Sequence, residues 1–211
     1  MKKVIMLALM ASITVSSFAQ KADIGNSSTP ITFLGLDFSQ LKFIGDATQW
    51  KDAGVITTET MKTKYFPSWN EIFIKEKPKY DVAGAVDRSS VEYALDVTES
   101  ANDKISNGDL FSKNSSDYKH ISADNITSLV GKYDFKGKKG VGLMFFVESM
   151  DKDGKQASIW VTFVNMDSKK VIFTKRYDET AGGFGFSHYW AKTFFNALGD
   201  IKDDHKSWSK S

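Results

Sequence analysis

A single α/β domain of the α+β kind, built on a mixed sheet with helices packed against it, is the fold this sequence predicts. Three observations predict it. Three successive apolar and β-branched stretches after Gly140 read as an antiparallel meander. Upstream segments alternate between strand and helix periodicity, and the last segment carries a helical apolar stripe. With 211 residues, 41% of them hydrophobic, the chain can bury one core and is too short for two ordinary domains. A mean hydropathy of −0.31 and 26% charged residues exclude a polytopic membrane protein and a disordered chain.

The chain opens on Met1-Lys2-Lys3, an apolar run from Val4 to about Val15, and the small residues Ser17 and Ala19. This pattern reads as a secretory signal over residues 1–19, cleaved before Gln20. The run is shorter than the roughly 20 apolar residues of a spanning helix, so no integral membrane segment is expected after cleavage. Cleavage removes two lysines and no acid, leaving 26 basic against 26 acidic residues in a neutral mature chain. Arg88 and Arg176 are the only arginines, and the basic footprint of a nucleic-acid binder is missing. The lack of cysteine excludes disulfides, thiolate zinc sites, thiol nucleophiles and a lipidated cysteine. The sequons at Asn26, Asn114 and Asn125 read as chance in a Ser- and Asn-rich chain.

Residues 20–29 are small and polar and read as a flexible lead-in, residues 30–199 as the domain, and residues 200–211 as a polar tail. Ile31 to Phe38 is apolar on both faces and predicts a doubly covered strand. A helical stretch is plausible between Asp46 and Met61, interrupted by Gly54. Ser68 and Glu71 form a capping-box pattern for a helix through Trp69, Ile72 and Phe73 that Pro78 ends. Asp81 to Arg88 suits a short helix, and the alternation of Val91, Tyr93, Leu95 and Val97 predicts a half-exposed edge strand. Residues 99–118, with Asn107-Gly108-Asp109, read as a loop. Ser122 then caps a helix presenting Ile126, Leu129, Val130 and Tyr133. The meander strands are Val141–Ser149, Ala157–Asn165 and Val171–Tyr177. A final C-terminal helix starts at a Ser187 cap, buries Trp190, Ala191, Phe194, Phe195 and Leu198, and ends at Gly199.

Four segments carry a resemblance: Phe33-Leu-Gly-Leu-Asp-Phe-Ser39, Trp69-Asn-Glu-Ile-Phe73, Ile159 to Asp167, and Ala181-Gly-Gly-Phe-Gly-Phe-Ser-His-Tyr-Trp-Ala191. Together they resemble an uncharacterised family of secreted Gram-negative α/β proteins. The element order is more distantly similar to the domains of curli-secretion-channel lipoproteins and the TolB amino-terminal domain. The resemblance implies a fold and an envelope compartment and supplies no catalytic residues. The lipid-anchoring cysteine and the membrane-spanning hairpins of the curli type have no counterpart here.

The candidate chemistry is sparse. Gly182, Gly183 and Gly185 precede a helix and could cradle an anion with Ser187, but a P-loop Lys-Ser/Thr is missing and His188 takes the third position of G-x-G-x-x-G. A tight strand-to-helix turn is the simpler reading. Asp37 and Ser39 follow an apolar strand, where open α/β sheets place ligands, although Asp37 also suits a cap. His188 is the histidine best placed to act as a base, yet Gly185-Phe-Ser-His-Tyr189 does not match a nucleophile elbow. His120 with Asp124, and Asp200, Asp203, Asp204 and His205, lack the further ligands of a metal site and read as solvated charge. Asp151-Lys-Asp-Gly154 begins like a calcium loop but has Thr162 at position twelve, so it reads as a hairpin turn. Among the tryptophans, Trp160 and Trp190 read as core, leaving Trp50 and Trp208 as exposed stacking platforms.

These readings lead to an exported, non-enzymatic binding or assembly-accessory protein of the bacterial envelope, with no cofactor, no metal and another envelope or extracellular protein as partner. The alternative is a secreted hydrolase of glycan or peptide using Asp37 and His188, which requires the two to converge. A small-anion or nucleotide site at Gly182 to Ser187 is a third expectation.

Overall fold

The computed structural model describes residues 24–46, 50, 52–106 and 110–208; the leader, its cleavage site and the Asn107-Gly108-Asp109 turn lie outside the described residues. The strands are β1 (Ile31–Asp37), β2 (Lys42–Ile44), β3 (Glu92–Tyr93), β4 (Phe111–Ser112), β5 (Val141–Asp151), β6 (Gln156–Asn165) and β7 (Lys170–Thr180). The helices are α1 (Phe66–Lys75), α2 (Val82–Ala85), α3 (Asp96–Asn102), α4 (Ala123–Lys132) and α5 (Phe186–Trp208). They form one mixed α/β domain. No helix among the described residues is long and apolar enough to cross a membrane.

Strand β5 is the pivot of the sheet. One edge pairs in parallel with β1 from Ile31↔Val141 to Asp37↔Phe146, and then with β2 at Lys42↔Ser149 to Ile44↔Asp151. The other edge pairs antiparallel with β6, which pairs antiparallel with β7, giving the expected meander. Short parallel strands β3 and β4 flank β1 and β2. Apolar side chains leave both faces of the sheet, because every residue of β1 and β5 is buried. On one face Phe33, Phe38 and Phe145 pack with Trp69 and Phe73 of α1 and Trp190 and Phe194 of α5. On the other, Leu34, Met144, Phe146 and Trp160 pack with Ile126 and Val130 of α4 and with Tyr133. Fully burying a side chain of this size is worth about 1.5–3 kcal/mol, so each face of β1 and β5 is an energetic anchor.

Local departures from the expected elements have identifiable causes. The helix leading to α1 begins earlier than the Ser68–Glu71 pattern indicates. Thr57 Oγ1 accepts from Thr60 N at 3.0 Å, and the chain passes Thr58–Thr60 and a π turn at Met61–Tyr65 before entering α1. The wide turn stands just before Pro67, which has no amide to give the ladder. Ser68 therefore lies inside the helix and donates to Tyr65 O.

The edge strand expected over Val91–Val97 pairs only at Glu92 and Tyr93, and Val97 lies in α3. Beyond β3, the backbone of β1 is met by side chains instead of a strand. Gly35 has φ +96° at a bulge, Leu36 N donates to Asn70 Oδ1 (2.7 Å) and Phe38 N to Asn102 Oδ1 (2.7 Å). Leu36 O accepts from Asn102 Nδ2 (3.0 Å), and Leu34 O from Thr98 Oγ1 (2.8 Å). Buried backbone groups need partners, and Thr98 and Asn102 of α3 together with Asn70 of α1 supply them where β3 stops.

Helix α5 starts at Phe186 rather than after a Ser187 cap, and it runs through Gly199 to Trp208. Ile201, His205 and Trp208 are buried at 0%, 5% and 3% exposure, and this burial outweighs the roughly 1 kcal/mol helix penalty of glycine. Residues 200–208 are thus part of the packed helix instead of a polar tail. The lead-in is docked as well from Ile24 to Thr29: Ile24 is 3% exposed, and Arg88 donates to Ile24 O and Thr29 O.

Candidate functional site

The carboxyl ends of the parallel strands β2 and β4 border an open surface feature. It is a cleft of about 500 Å³ lined by Gly45, Asp46, Phe111, Ser112, Lys113 and Asp153. It forms because β2 and β4 end beside the β5–β6 turn, which Lys152 N ties to Ile44 O at 2.9 Å. Gly45 has φ +107°, and a Cβ there would stand 3.0 Å from Lys152 Cβ. The Asp151 carboxylate accepts from Asp153 N and Gly154 N at 3.0 Å each, which makes this segment the expected hairpin turn. Lys152 Nζ stands 4.5 Å over the Trp50 ring and 4.9 Å over the Tyr189 ring, and these two rings meet each other edge to face.

The glycine turn after β7 lies at the same end of the sheet. Gly183 and Gly185 hold φ +120° and +77°, and Gly182 N donates to Tyr189 O at 3.0 Å. Asp52 Oδ2 accepts from Phe186 N at 2.9 Å, so the protein's own carboxylate sits at the helix N-terminus where an anion was expected. Ser187 uses its carbonyl to accept from Trp69 Nε1, and His188 is exposed on the first turn of α5. Phe184, at the tip, is 93% exposed; Val55, three residues from Asp52, is 68% exposed. The turn therefore leaves the Phe184 ring in solvent beside a capped helix start.

Asp37 lies elsewhere. Its neighbours Leu36 and Phe38 join the face covered by α1 and α5, and its own side chain points to the α4 face, where Tyr133 Oη donates to Oδ2 at 2.7 Å. Ser39 N donates to Oδ1 at 2.6 Å. Burial pushes the Asp37 carboxyl above the ordinary aspartate range, opposed by the Ser39 and Tyr133 hydrogen bonds, and burial likewise raises the Tyr133 phenol. A groove of about 300 Å³ above this pair is lined by Ser39, Gln40, Lys104, Leu129, Lys132 and Tyr133. Asp37 and His188 thus belong to opposite faces of the sheet, and the convergence a shared hydrolytic site needs is not made.

The remaining candidates have mostly structural duties. The ring nitrogens of His120 lie 2.7 Å from Asp117 O and 3.0 Å from Gln40 O, joining two loops. Asp204 accepts from Tyr177 Oη at 2.8 Å and from Lys175, and those two contacts hold its carboxyl below the ordinary range. His205 is buried, so the C-terminal charge cluster is not uniformly solvated. Among the described residues no three potential ligands assemble for a metal ion. Trp50 and Trp208 are 9% and 3% exposed and are core residues rather than stacking platforms.

Sequence reasoning missed one buried charge network. Glu148, fully buried at a bulge in β5, accepts from Ile121 N (2.7 Å), Ser158 Oγ (2.8 Å) and Trp160 Nε1 (3.1 Å). Arg176 adds Nε at 2.9 Å and Nη2 at 3.1 Å, and its guanidinium lies 4.5 Å from the Trp160 ring centre. A lone acid in the apolar run Val141 to Met150 and one of only two arginines were the available signals.

No protein-family model matches this chain, and no curated protein sequence matches it.

Proposed function

We propose that this chain is an exported, non-enzymatic binding or assembly-accessory protein of the bacterial envelope, acting through the carboxyl end of its sheet on another envelope or extracellular protein. The observation that carries this reading is Phe184, 93% exposed on a turn fixed by the Asp52 cap and the Gly182–Tyr189 backbone bond. An aromatic ring exposed on a turn serves as an interface anchor when a partner covers it. Val55, on the segment tied to the same turn through Asp52, adds a second apolar contact, and the adjoining cleft offers polar groups for a rim. The separation of Asp37 from His188 favours binding over hydrolysis. The Lys2-Lys3 leader pattern supports export, as does the resemblance to secreted Gram-negative proteins.

The test is photo-cross-linking in cells of a Gram-negative host. A benzophenone amino acid is placed at Phe184, with Ile74, 46% exposed on α1, as the control position. The expected result is a discrete adduct from position 184 only, in the periplasmic or extracellular fraction, on a chain beginning at Gln20. Equal labelling from both positions, or a chain retaining its leader in the cytoplasm, overturns the proposal.

A further inference from the structure

The chain makes a detour where β1 ends. Strand β1 leaves the edge of β5 after the Asp37↔Phe146 pair, and β2 takes up the same edge only at Lys42↔Ser149. The residues between them loop away, with Leu41 N donating to Phe38 O at 2.9 Å and Gln40 O lying 3.0 Å from His120 Nε2. Ser39 and Gln40 thereby form one side of the groove of about 300 Å³ whose other sides are the last turns of α3 and α4.

Buried hydrogen bonds tie these sides to the same strand end. Asn102, the last residue of α3, accepts from Phe38 N at 2.7 Å and donates to Leu36 O at 3.0 Å. Tyr133, which ends α4, donates to Asp37 Oδ2 at 2.7 Å. The groove is therefore preformed, and a ligand entering it does not have to order its walls.

Its lining is apolar at Val97, Ala101 and Leu129, while Ser39, Gln40 and Ser100 bring side-chain donors. Two cations complete it. Lys104, just past α3, and Lys132, in the last turn of α4, are exposed, and neither ammonium makes an ion pair among the described residues. The neighbouring acids are already engaged. Asp37 accepts from Ser39 N on one oxygen and from Tyr133 on the other, and Asp134 accepts from Lys136 N at 2.9 Å. We propose that this groove binds a small organic monocarboxylate, its charge met by Lys104 and Lys132 and its apolar body lying on Ala101 and Leu129.

The helix ends decide the charge of the ligand. Both α3 and α4 bring their C-terminal turns to the groove, and the carbonyl ends of their peptide dipoles are partly negative. The two ammoniums offset that potential and leave a place for one negative charge. A phosphate dianion would meet neither the helix N-terminus nor the guanidinium fork that suits it. The site lies on the face covered by α4 and stands independently of the Phe184 surface.

The experiment titrates ¹⁵N-labelled residues 20–211 with sodium benzoate, benzamide and sodium phosphate at constant ionic strength, read by amide shifts. Expected are saturable shifts with benzoate, confined to residues 39–40, 100–104 and 129–134. Benzamide, which keeps the ring and lacks the charge, should bind about tenfold more weakly, and so should phosphate. Lys104→Ala and Lys132→Ala should each weaken benzoate binding about tenfold, the loss of one charge-assisted contact. Lys192→Ala, at an exposed lysine on α5, should leave it unchanged. No saturable shift with benzoate, or benzamide or phosphate binding as tightly, overturns the proposal. Equal weakening by all three lysine variants would show attraction to positive surface in general and would refute it as well.

Discussion

Replacing Glu148 by glutamine removes one charge while keeping the side chain's shape, and the structure sets the cost. Five donors converge on the carboxylate, three of them neutral and two from the Arg176 guanidinium. Whichever oxygen becomes the amide nitrogen, it must face donors. The Oε2 position would confront Trp160 Nε1 and Arg176 Nε, and the Oε1 position Ile121 N and Arg176 Nη2. Two hydrogen bonds are lost either way, and the guanidinium is left without its anion. Orphaning one member of a buried pair costs about 3–5 kcal/mol. The Arg176 side chain is 25% exposed, so water relieves part of its charge and the lower end, about 3 kcal/mol, is expected. With a urea slope of about 2 kcal/mol/M, the unfolding midpoint should fall by about 1.5 M. Adding Arg176→Met should recover part of that loss, because the second change removes the orphan. A fall below about 0.5 M, or a double variant showing the sum of the single losses, would refute the account of the network as a mutually dependent pair.

Three further outcomes are expected. Gly35→Ala places a methyl 2.5 Å from Asn70 Oδ1 and 2.7 Å from Thr98 Oγ1 at a φ of +96°; strain and a disrupted buried hydrogen bond should together cost about 3 kcal/mol in urea unfolding, and a loss under 1 kcal/mol would contradict this. Asp52→Ala removes the cap on Phe186 and should cost about 1 kcal/mol while speeding amide exchange at Phe186; unchanged exchange there would show that the cap does not hold the turn. Tyr133→Phe takes one donor from Asp37, whose folded carboxyl already sits above its unfolded value near 3.8 because of burial. The folded state then holds its proton to still higher pH, so the variant should lose more stability than wild type as pH rises from 4 to 7, and an equal penalty at both ends would count against it.

What the sequence made legible were elements whose local chemistry and tertiary role agree. The meander strands, the Ser122 cap and the doubly apolar β1 were readable because each carries its own period, turn or cap. The errors occur where a distant group decides. Val91 to Val97 alternates like a strand, but Thr98 and Asn102 are needed to meet the free backbone of β1, and a helix delivers them. Gly199 has the chemistry of a helix end, yet Ile201 and Trp208 beyond it find a core to enter. The site shows the same limit more sharply. The exposed glycine turn was visible from spacing alone, whereas its anion, Asp52, lies 134 residues away in the chain.

That distance bears on how the proposed surface works. An N-terminal loop carboxylate closes the C-terminal turn, so Phe184 is presented only once both ends of the chain have joined the sheet, and recognition is thereby coupled to completed folding. Because α5 packs Trp190, Phe194 and Ile201 into the same cluster as Phe38 and Phe163, disturbance at its last turns is opposed by the central core before it can reach Phe184.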